Sequence, residues 1–158
     1  MKRYYLAVGY PLTYAIDNPS VYILEQKEGT VALTTEELKE WSMCLRVNVR
    51  EEESEILQSL VRKGAVYDAE SPEKLLEAIW ERNAIRQGFG FVYNKKYSIL
   101  VGKEYWYPSR GQLILWSGAD GLTTVQGLID LAKEEKLSEM QAFHCITTLM
   151  QNDSLFLR

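Results

Sequence analysis

The sequence contains few of the residues that catalysis, metal binding and disulfide bonding use. Its 158 residues include two cysteines, Cys44 and Cys145, and one histidine, His144. The cysteines form no Cys-x-x-Cys pair, so neither a zinc site nor a dithiol redox motif is predicted, and free buried thiols are the simpler interpretation. Adjacent helical residues point about 100° apart, so His144 and Cys145 do not predict a catalytic dyad. We therefore expect no enzymatic activity, no cofactor and no metal.

Long apolar segments are also absent. No run approaches the roughly 18 residues that a transmembrane helix needs. The apolar stretch near the N-terminus is interrupted by Gly9 and Pro11, and no small-residue cleavage site follows, so no signal peptide is predicted. The hydrophobic fraction of 46% is ordinary for a folded protein. These features predict a cytoplasmic protein without a membrane partner.

Positive charge is scarce where a DNA-reading helix would need it. The chain has a net charge of −4, which gives no general attraction to phosphate. The predicted last helix, residues 138–152, contains no lysine or arginine, and the helix predicted to start near Arg50 opens with the acidic run 51–53. Base edges and phosphates are contacted by Arg, Lys, Asn or Gln. Sequence-specific DNA binding is therefore disfavoured, and the acidic run is more typical of a solvated helix start.

The sequence does contain an internal repeat. Trp116 follows Trp41 by 75 residues, and other apolar and aromatic positions match at the same offset. Nearer the C-terminus, Leu149 follows Leu60 by 89 residues. The second copy is therefore 14 residues longer, which is the length of a helix with its loop. The repeat predicts one small unit built twice, with a middle helix missing from the first copy.

Hydrophobic periodicity and turn residues predict an α+β fold of two tandem units. The first unit, residues 1–70, begins with strands at 3–8 and 20–25, joined through turn residues that include Asp17. Ser71 and Pro72 open a helix, and residues 71–88 are interpreted as a connector helix that docks the units. Residues 89–158 form the second unit. Each unit is predicted to be winged-helix-like, with a small antiparallel sheet and two or three helices.

The second copy resembles a known family in its first helix and the following turn. A strand, a helix ending in Trp116, the turn at 118–121 with Asp120-Gly121, and the Thr123-Thr124 helix start are similar to PqqD-type peptide chaperones, the RiPP recognition elements. The similarity covers roughly residues 97–158. It implies that a leader peptide adds as a strand to an exposed sheet edge at 97–101, beside the helix face of 138–150.

Three consecutive aromatic residues mark a second candidate surface. In a strand, Tyr105 and Tyr107 share one face and Trp106 takes the other, so at least one large aromatic side chain is expected outside the core. Exposed aromatic side chains indicate a protein interface. Together with the family resemblance, this predicts that the following residues contact a partner: Tyr97, Ile99, Val101, Tyr105, Trp106, Tyr107, Gln141 and His144.

The sequence therefore predicts a non-enzymatic module for protein or peptide recognition, or an adaptor. Two alternatives stay open. The chain could be a winged-helix transcriptional regulator that binds DNA as a homodimer, or an accessory domain or subunit of a larger enzyme.

Overall fold

The computed structural model describes residues 1–15 and 18–158, and the turn predicted at Asp17 lies outside them. Within these residues there are six helices and four three-stranded antiparallel sheets, so the predicted α+β class is confirmed. The chain divides into two compact units, Met1–Arg82 with Leu157–Arg158, and Asn83–Phe156. The division of the sequence into 1–70, 71–88 and 89–158 stays a prediction.

The first unit contains two sheets and three helices within its described residues. One sheet has the order β2-β3-β4, and the other places β1 between β5 and β6. The elements are β1 (Arg3–Ala7), β2 (Tyr10–Ala15), β3 (Asn18–Gln26), β4 (Gly29–Thr34), α1 (Thr35–Met43), β5 (Asn48–Arg50), α2 (Glu55–Arg62), β6 (Val66–Ala69) and α3 (Pro72–Ala78).

The second unit repeats this order. One sheet has the order β8-β9-β10, and the other places β7 between β11 and β12. The elements are β7 (Asn83–Arg86), β8 (Phe89–Tyr93), β9 (Lys96–Val101), β10 (Glu104–Trp106), α4 (Arg110–Gly118), β11 (Asp120–Thr124), α5 (Val125–Glu134), α6 (Glu139–Gln151) and β12 (Leu155–Leu157). Over the described residues, α5 has no counterpart in the first unit and α3 has none in the second.

Several elements differ from the sequence-based predictions. The helix expected near Arg50 starts at Glu55, because Ser54 accepts a hydrogen bond from the Leu57 amide and caps it there. Arg50 lies in β5 and pairs with Arg3. The first strand therefore pairs with β5 and β6, and the first hairpin is β2–β3.

The helix predicted over residues 71–88 is also shorter than expected. It ends at Ala78, and Asn83–Arg86 form β7, the central strand of its sheet. The apolar positions of this segment cover only two turns. Ala84 is then buried in a sheet, where pairing with two neighbours outweighs local helix propensity.

A glycine corner joins the two sheets of each unit. Gly9 has a φ of +126° and Gly88 a φ of +96°, a region that side-chain-bearing residues rarely adopt. A Cβ atom at Gly88 would lie 2.5 Å from the carbonyl oxygen of Leu100. Glycine is therefore required at this corner both by its backbone angle and by the close approach of β9.

A tryptophan fixes each corner to the following helix. The indole Nε1 of Trp41 donates to the carbonyl oxygen of Val8 at 3.2 Å. In the second unit, Trp116 donates to Gln87 at 3.1 Å. The matched offset seen in the sequence thus corresponds to the same hydrogen bond made twice.

The first helix of each unit begins with a capping box. Thr34 and Glu37 form it in α1, and Ser109 and Gln112 form it in α4. Glu37 has further partners, because its carboxylate also accepts hydrogen bonds from Ser59 Oγ at 2.9 Å and Lys63 Nζ at 2.8 Å.

The Glu37 carboxylate is almost fully buried, with 8% of its side chain exposed. Burial alone would raise its pKa. The hydrogen bonds from Lys63, Thr34 and Ser59 outweigh burial, and the pKa is lowered. Because the folded-state pKa lies below the unfolded one, the charge of Glu37 stabilises the fold above the ordinary carboxyl pKa, and this stabilisation is lost as the pH falls through the folded-state pKa.

We expect Glu37→Gln to lower the unfolding free energy at neutral pH by about 1–3 kcal/mol, because Ser59 and Lys63 lose a charged acceptor while the capping box is retained. Urea denaturation across a pH series measures this. The deficit should shrink as the pH falls below the ordinary carboxyl pKa and through the lowered folded-state pKa of Glu37, where the wild-type carboxylate becomes protonated. Glu36→Gln, at an exposed position in the same helical turn, is the control. An equal and pH-independent deficit in both variants would contradict the account.

Candidate functional site

The sheet β8-β9-β10 has one covered face and one open face. In its register Phe91 lies opposite Ser98, and Leu100 lies opposite Tyr105. Side chains alternate along each strand, so these residues share the outer face. On the inner face Ile99 is fully buried, and the Trp116 ring lies 3.2 Å from where a Gly90 Cβ would stand. The inner face is therefore core, and the outer face is available to a partner.

Four rings form a connected cluster on the outer face, which we call the aromatic face: Phe91, Tyr93, Tyr105 and Tyr107. Tyr105 is at its centre, with ring centroids 6.1 Å from Phe91, 5.3 Å from Tyr93 and 5.8 Å from Tyr107. All three contacts are edge-to-face, the arrangement that aromatic quadrupoles favour. Tyr105 is 47% exposed and Tyr107 43% exposed. A large apolar surface is thus held in a fixed arrangement in contact with solvent.

A small residue lies at the centre of this face. Ser98 is on the central strand β9 and is 0% exposed, although it points to the outer side of the sheet. The neighbouring rings cover it, and its hydroxyl donates to the Lys96 carbonyl oxygen at 3.3 Å. Lys96 places its ammonium 5.2 Å from the centre of the Tyr107 ring, a cation–π contact.

The equivalent sheet of the first unit has no such cluster at the matching positions of β4. At the offset of 75 residues, Tyr105 and Tyr107 correspond to Thr30 and Ala32, both exposed, and Ser98 corresponds to Ile23. The sheet β2-β3-β4 forms with the same topology. The Tyr105 and Tyr107 rings are therefore not needed to build a sheet of this topology.

The structure places the predicted strand-addition site on the wrong strand. Residues 97–101 belong to β9, which is paired on both sides, with β8 and with β10. A central strand has no unpaired main-chain groups to offer a peptide. The prediction that a peptide adds to this segment is therefore wrong, and Ile99, being fully buried, is not accessible to a partner.

The other predicted contact residues lie in different places. Tyr97 and Val101 are on the inner side of β9, although Tyr97 is exposed near the end of the hairpin. Trp106 is half-buried, and its indole donates to Ser154 Oγ at 2.9 Å, which indicates a structural role. On α6, Gln141 completes the capping box of that helix and His144 is exposed.

Two members of the aromatic face, Phe91 and Tyr93, were not among the predicted contact residues. The alternation of Phe89, Phe91 and Tyr93 along β8 was the available signal, because every second residue of a strand shares a face.

The segment predicted as a turn at 118–121 instead ends helix α4 and begins strand β11, so the prediction of a turn is wrong, and its residues have a local structural role. Asp120 Oδ1 accepts hydrogen bonds from the amides of Leu122 at 2.9 Å and Thr123 at 2.7 Å. The bond from Thr123, followed by that from Leu122, lowers the pKa of the Asp120 carboxyl. Gly121 has a φ of +86° within β11, whose register with β7 is irregular between Asp120 and Thr124. These residues shape the start of α5.

Neither cysteine has the surroundings of a nucleophile. Burial raises the pKa of Cys44 to about 12, and burial also raises the pKa of Cys145. Cys145 is half-buried and lies close to Gly111 of α4. Across residues 1–15 and 18–158, no three His, Cys, Asp or Glu side chains are grouped as a metal site would need.

A polar cavity of about 320 Å³ in the first unit is lined by residues that already bind one another. Arg82 donates to Glu28 Oε2 at 2.9 Å and also to the Tyr67 hydroxyl, and its guanidinium lies 5.1 Å from the centre of the Tyr67 ring. Lys27 donates to the Glu81 carbonyl oxygen. These contacts connect the β3–β4 turn to the segment after α3, and they leave the aromatic face as the stronger candidate site.

In the part of the chain that the structure describes, no helix combines the length and hydropathy needed to cross a bilayer.

We expect the two thiols to differ in their reaction with an aromatic disulfide reagent at about pH 8. Cys44 should stay unreactive in the native state, because burial suppresses its thiolate, and Cys145 should react slowly. In denaturant both should react at the rate of a free thiol. Mass spectrometry of the labelled protein measures this, and rapid native labelling of Cys44 would contradict the described packing.

Comparisons with family models, with curated protein sequences and with solved structures find no match to this chain.

Proposed function

We propose that this chain is a non-enzymatic polypeptide-recognition module, and that its second unit contacts the partner through the aromatic face. The observation that carries the proposal is the exposed four-ring cluster, two of whose tyrosines correspond to Thr30 and Ala32 at the matching positions of the first unit. A feature needed for folding would be expected in both copies. The rings instead follow the pattern of a surface that is maintained for contact.

The chemistry of these rings suits polypeptide binding. Tyrosine and phenylalanine provide large contact areas, and tyrosine adds a hydroxyl that can hydrogen-bond to a main chain. Such residues are enriched in the buried centres of interfaces. Because Tyr105 is already in contact with three other rings, little side-chain entropy remains to be lost on binding.

The family resemblance supports the same class of function. Under this proposal both units are winged-helix-like, and the second is related to the RiPP recognition elements, which bind leader peptides. The site differs from the one that the resemblance implies, because residues 97–101 lie in the sheet centre. An accessory subunit of a larger enzyme would use the same surface, with its partner being a segment of that enzyme.

Sequence-specific DNA binding is less well supported than polypeptide binding. Helix α6, Glu139–Gln151, has no lysine or arginine, and α2 has a single arginine in its last turn. Groove binding through either helix would place few cations against phosphate. The lysines at positions 95, 96 and 103 lie on the sheet hairpins, so nucleic acid is tested below as a competing ligand of the aromatic face.

The test exchanges Tyr105 of β10 and Tyr107, the residue after this strand, for their counterparts in the first unit, Tyr105→Thr with Tyr107→Ala. A displayed random-peptide library is selected on the wild type, and the enriched peptides are measured by fluorescence anisotropy. We expect the double variant to bind them at least about 30-fold more weakly, the loss typical of truncating an interface hot spot. Its fold should remain intact by circular dichroism.

The matched control is Tyr97→Thr, which removes an exposed tyrosine from the opposite side of the same sheet. This variant should retain wild-type affinity. Equal peptide binding by the double variant would contradict the proposal, and so would a library in which no peptide is enriched. Binding of single-stranded oligonucleotides with a steep salt dependence would instead favour nucleic acid.

A further inference from the structure

One edge of the same sheet is open and regular. Strand β8 pairs with β9 through all five of its residues without a register shift. No strand among the described residues pairs with its other side. Phe89 and Val92 are strongly exposed, the latter at 63%. An exposed edge of this kind presents unpaired main-chain groups that can pair with another chain.

The equivalent edge of the first unit is protected. Strand β2 contains Pro11, which has no amide hydrogen to donate, and its register shifts twice along β3. Prolines and bulges are the usual devices that prevent edge pairing. The sequence of β8, Phe-Gly-Phe-Val-Tyr, contains no proline and no charge. The duplicated fold therefore protects one edge and leaves the other open.

The hairpin turn indicates which groups of β8 point outward. Asn94 and Lys95 have φ values of +50° and +63°, as in a two-residue turn of the type I′ class. In such a hairpin the flanking residues Tyr93 and Lys96 exchange hydrogen bonds, and hydrogen bonding alternates along the ladder. Gly90 and Val92 therefore direct their N–H and C=O groups to the open side.

Charge around this sheet selects the partner. Residues 89–110 contain Lys95, Lys96, Lys103 and Arg110, the last paired with Glu135, against a single acidic residue of the segment, Glu104. The segment is thus positive within a chain of net charge −4. Two of the lysines lie at the β8–β9 turn, at the end of the open edge. A second copy pairing at this edge would add a segment of the same positive charge, whereas an acidic segment would be attracted to it.

We infer that the open edge of β8 accepts an extended acidic segment of a partner polypeptide as a fourth strand. The main chain of the segment pairs with Gly90 and Val92. Its side chains on one side extend the aromatic face, and its carboxylates lie near Lys95 at the β8–β9 turn. This inference rests on the proposed function, and it adds the binding edge and the charge of the ligand.

The protein-side test is Val92→Pro, which removes an outward amide without removing a donor to β9. The matched control is Val92→Thr, which keeps the amide and the β-branched shape. Using peptides selected on the wild type, we expect the proline variant to bind about tenfold or more weakly and the threonine variant to bind normally. The selected peptides should be acidic, and Lys95→Glu should weaken their binding more in low salt than in high salt.

The ligand-side test uses the unaltered protein, so it stands even if the proline variant misfolds. Single N-methylation is introduced at each position of a selected peptide. A strand-adding ligand loses affinity at every second position, because alternate amides bond to the edge. Two results together would overturn the edge inference: equal peptide affinity whichever position is N-methylated, and normal binding by Val92→Pro. The aromatic-face proposal could still hold in that case. Neutral or basic selected peptides would overturn the assigned charge.

Self-association is distinguished by sedimentation. A dimer that forms with increasing concentration and is abolished by Val92→Pro would make a second copy the occupant and would overturn the acidic-peptide inference. If no peptide bound the wild type, the proposed function itself would be contradicted.

Discussion

The fold of each unit depends on the corner where the chain passes from its first strand, in one sheet, to its second strand, in the other sheet. At this corner a tryptophan indole donates to a main-chain carbonyl, from Trp41 to Val8 in the first unit and from Trp116 to Gln87 in the second. The next residue is a glycine with positive φ in both units. Neighbouring amides are also bonded there: Val8 N donates to the Ala65 carbonyl and Gln87 N to that of Ser154. Within a unit, the corner thus fixes three parts relative to each other: the first helix, the final strand, and the sheet of three consecutive strands (β2-β3-β4 or β8-β9-β10), which we call the meander sheet.

Because this framework occurs twice, the two units can be compared element by element. The parts that match are the corner, the capped first helix and the order of both sheets. The parts that differ are at the meander sheet surface, where Tyr105 and Tyr107 replace Thr30 and Ala32, and at its first edge, where β8 lacks the proline and register shifts of β2. Besides the helices α3 and α5, which have no counterparts, the units thus differ at one face and one edge of this sheet, and these carry the surface proposed for contact.

The sequence predicted the α+β class because apolar periodicity reports local burial. It did not predict β5, β7 or β11, since these short strands form only through pairing with distant segments, as Arg50 does with Arg3. The candidate surface was predicted in part: alternation indicated that Tyr105 or Trp106 would face outward. Strand order within the sheet is a non-local property, and for that reason β9 was taken for an edge when it is the central strand.

The central claim is that the second unit's meander sheet binds a polypeptide and that the first unit's equivalent sheet does not. Amide hydrogen exchange, followed by NMR with and without a selected peptide, tests this most directly. The account predicts new protection of the Gly90 and Val92 amides and shifted ring resonances of Tyr105 and Tyr107, with β2-β3-β4 unchanged. Protection confined to β2-β3-β4, or to helix α6, would contradict it.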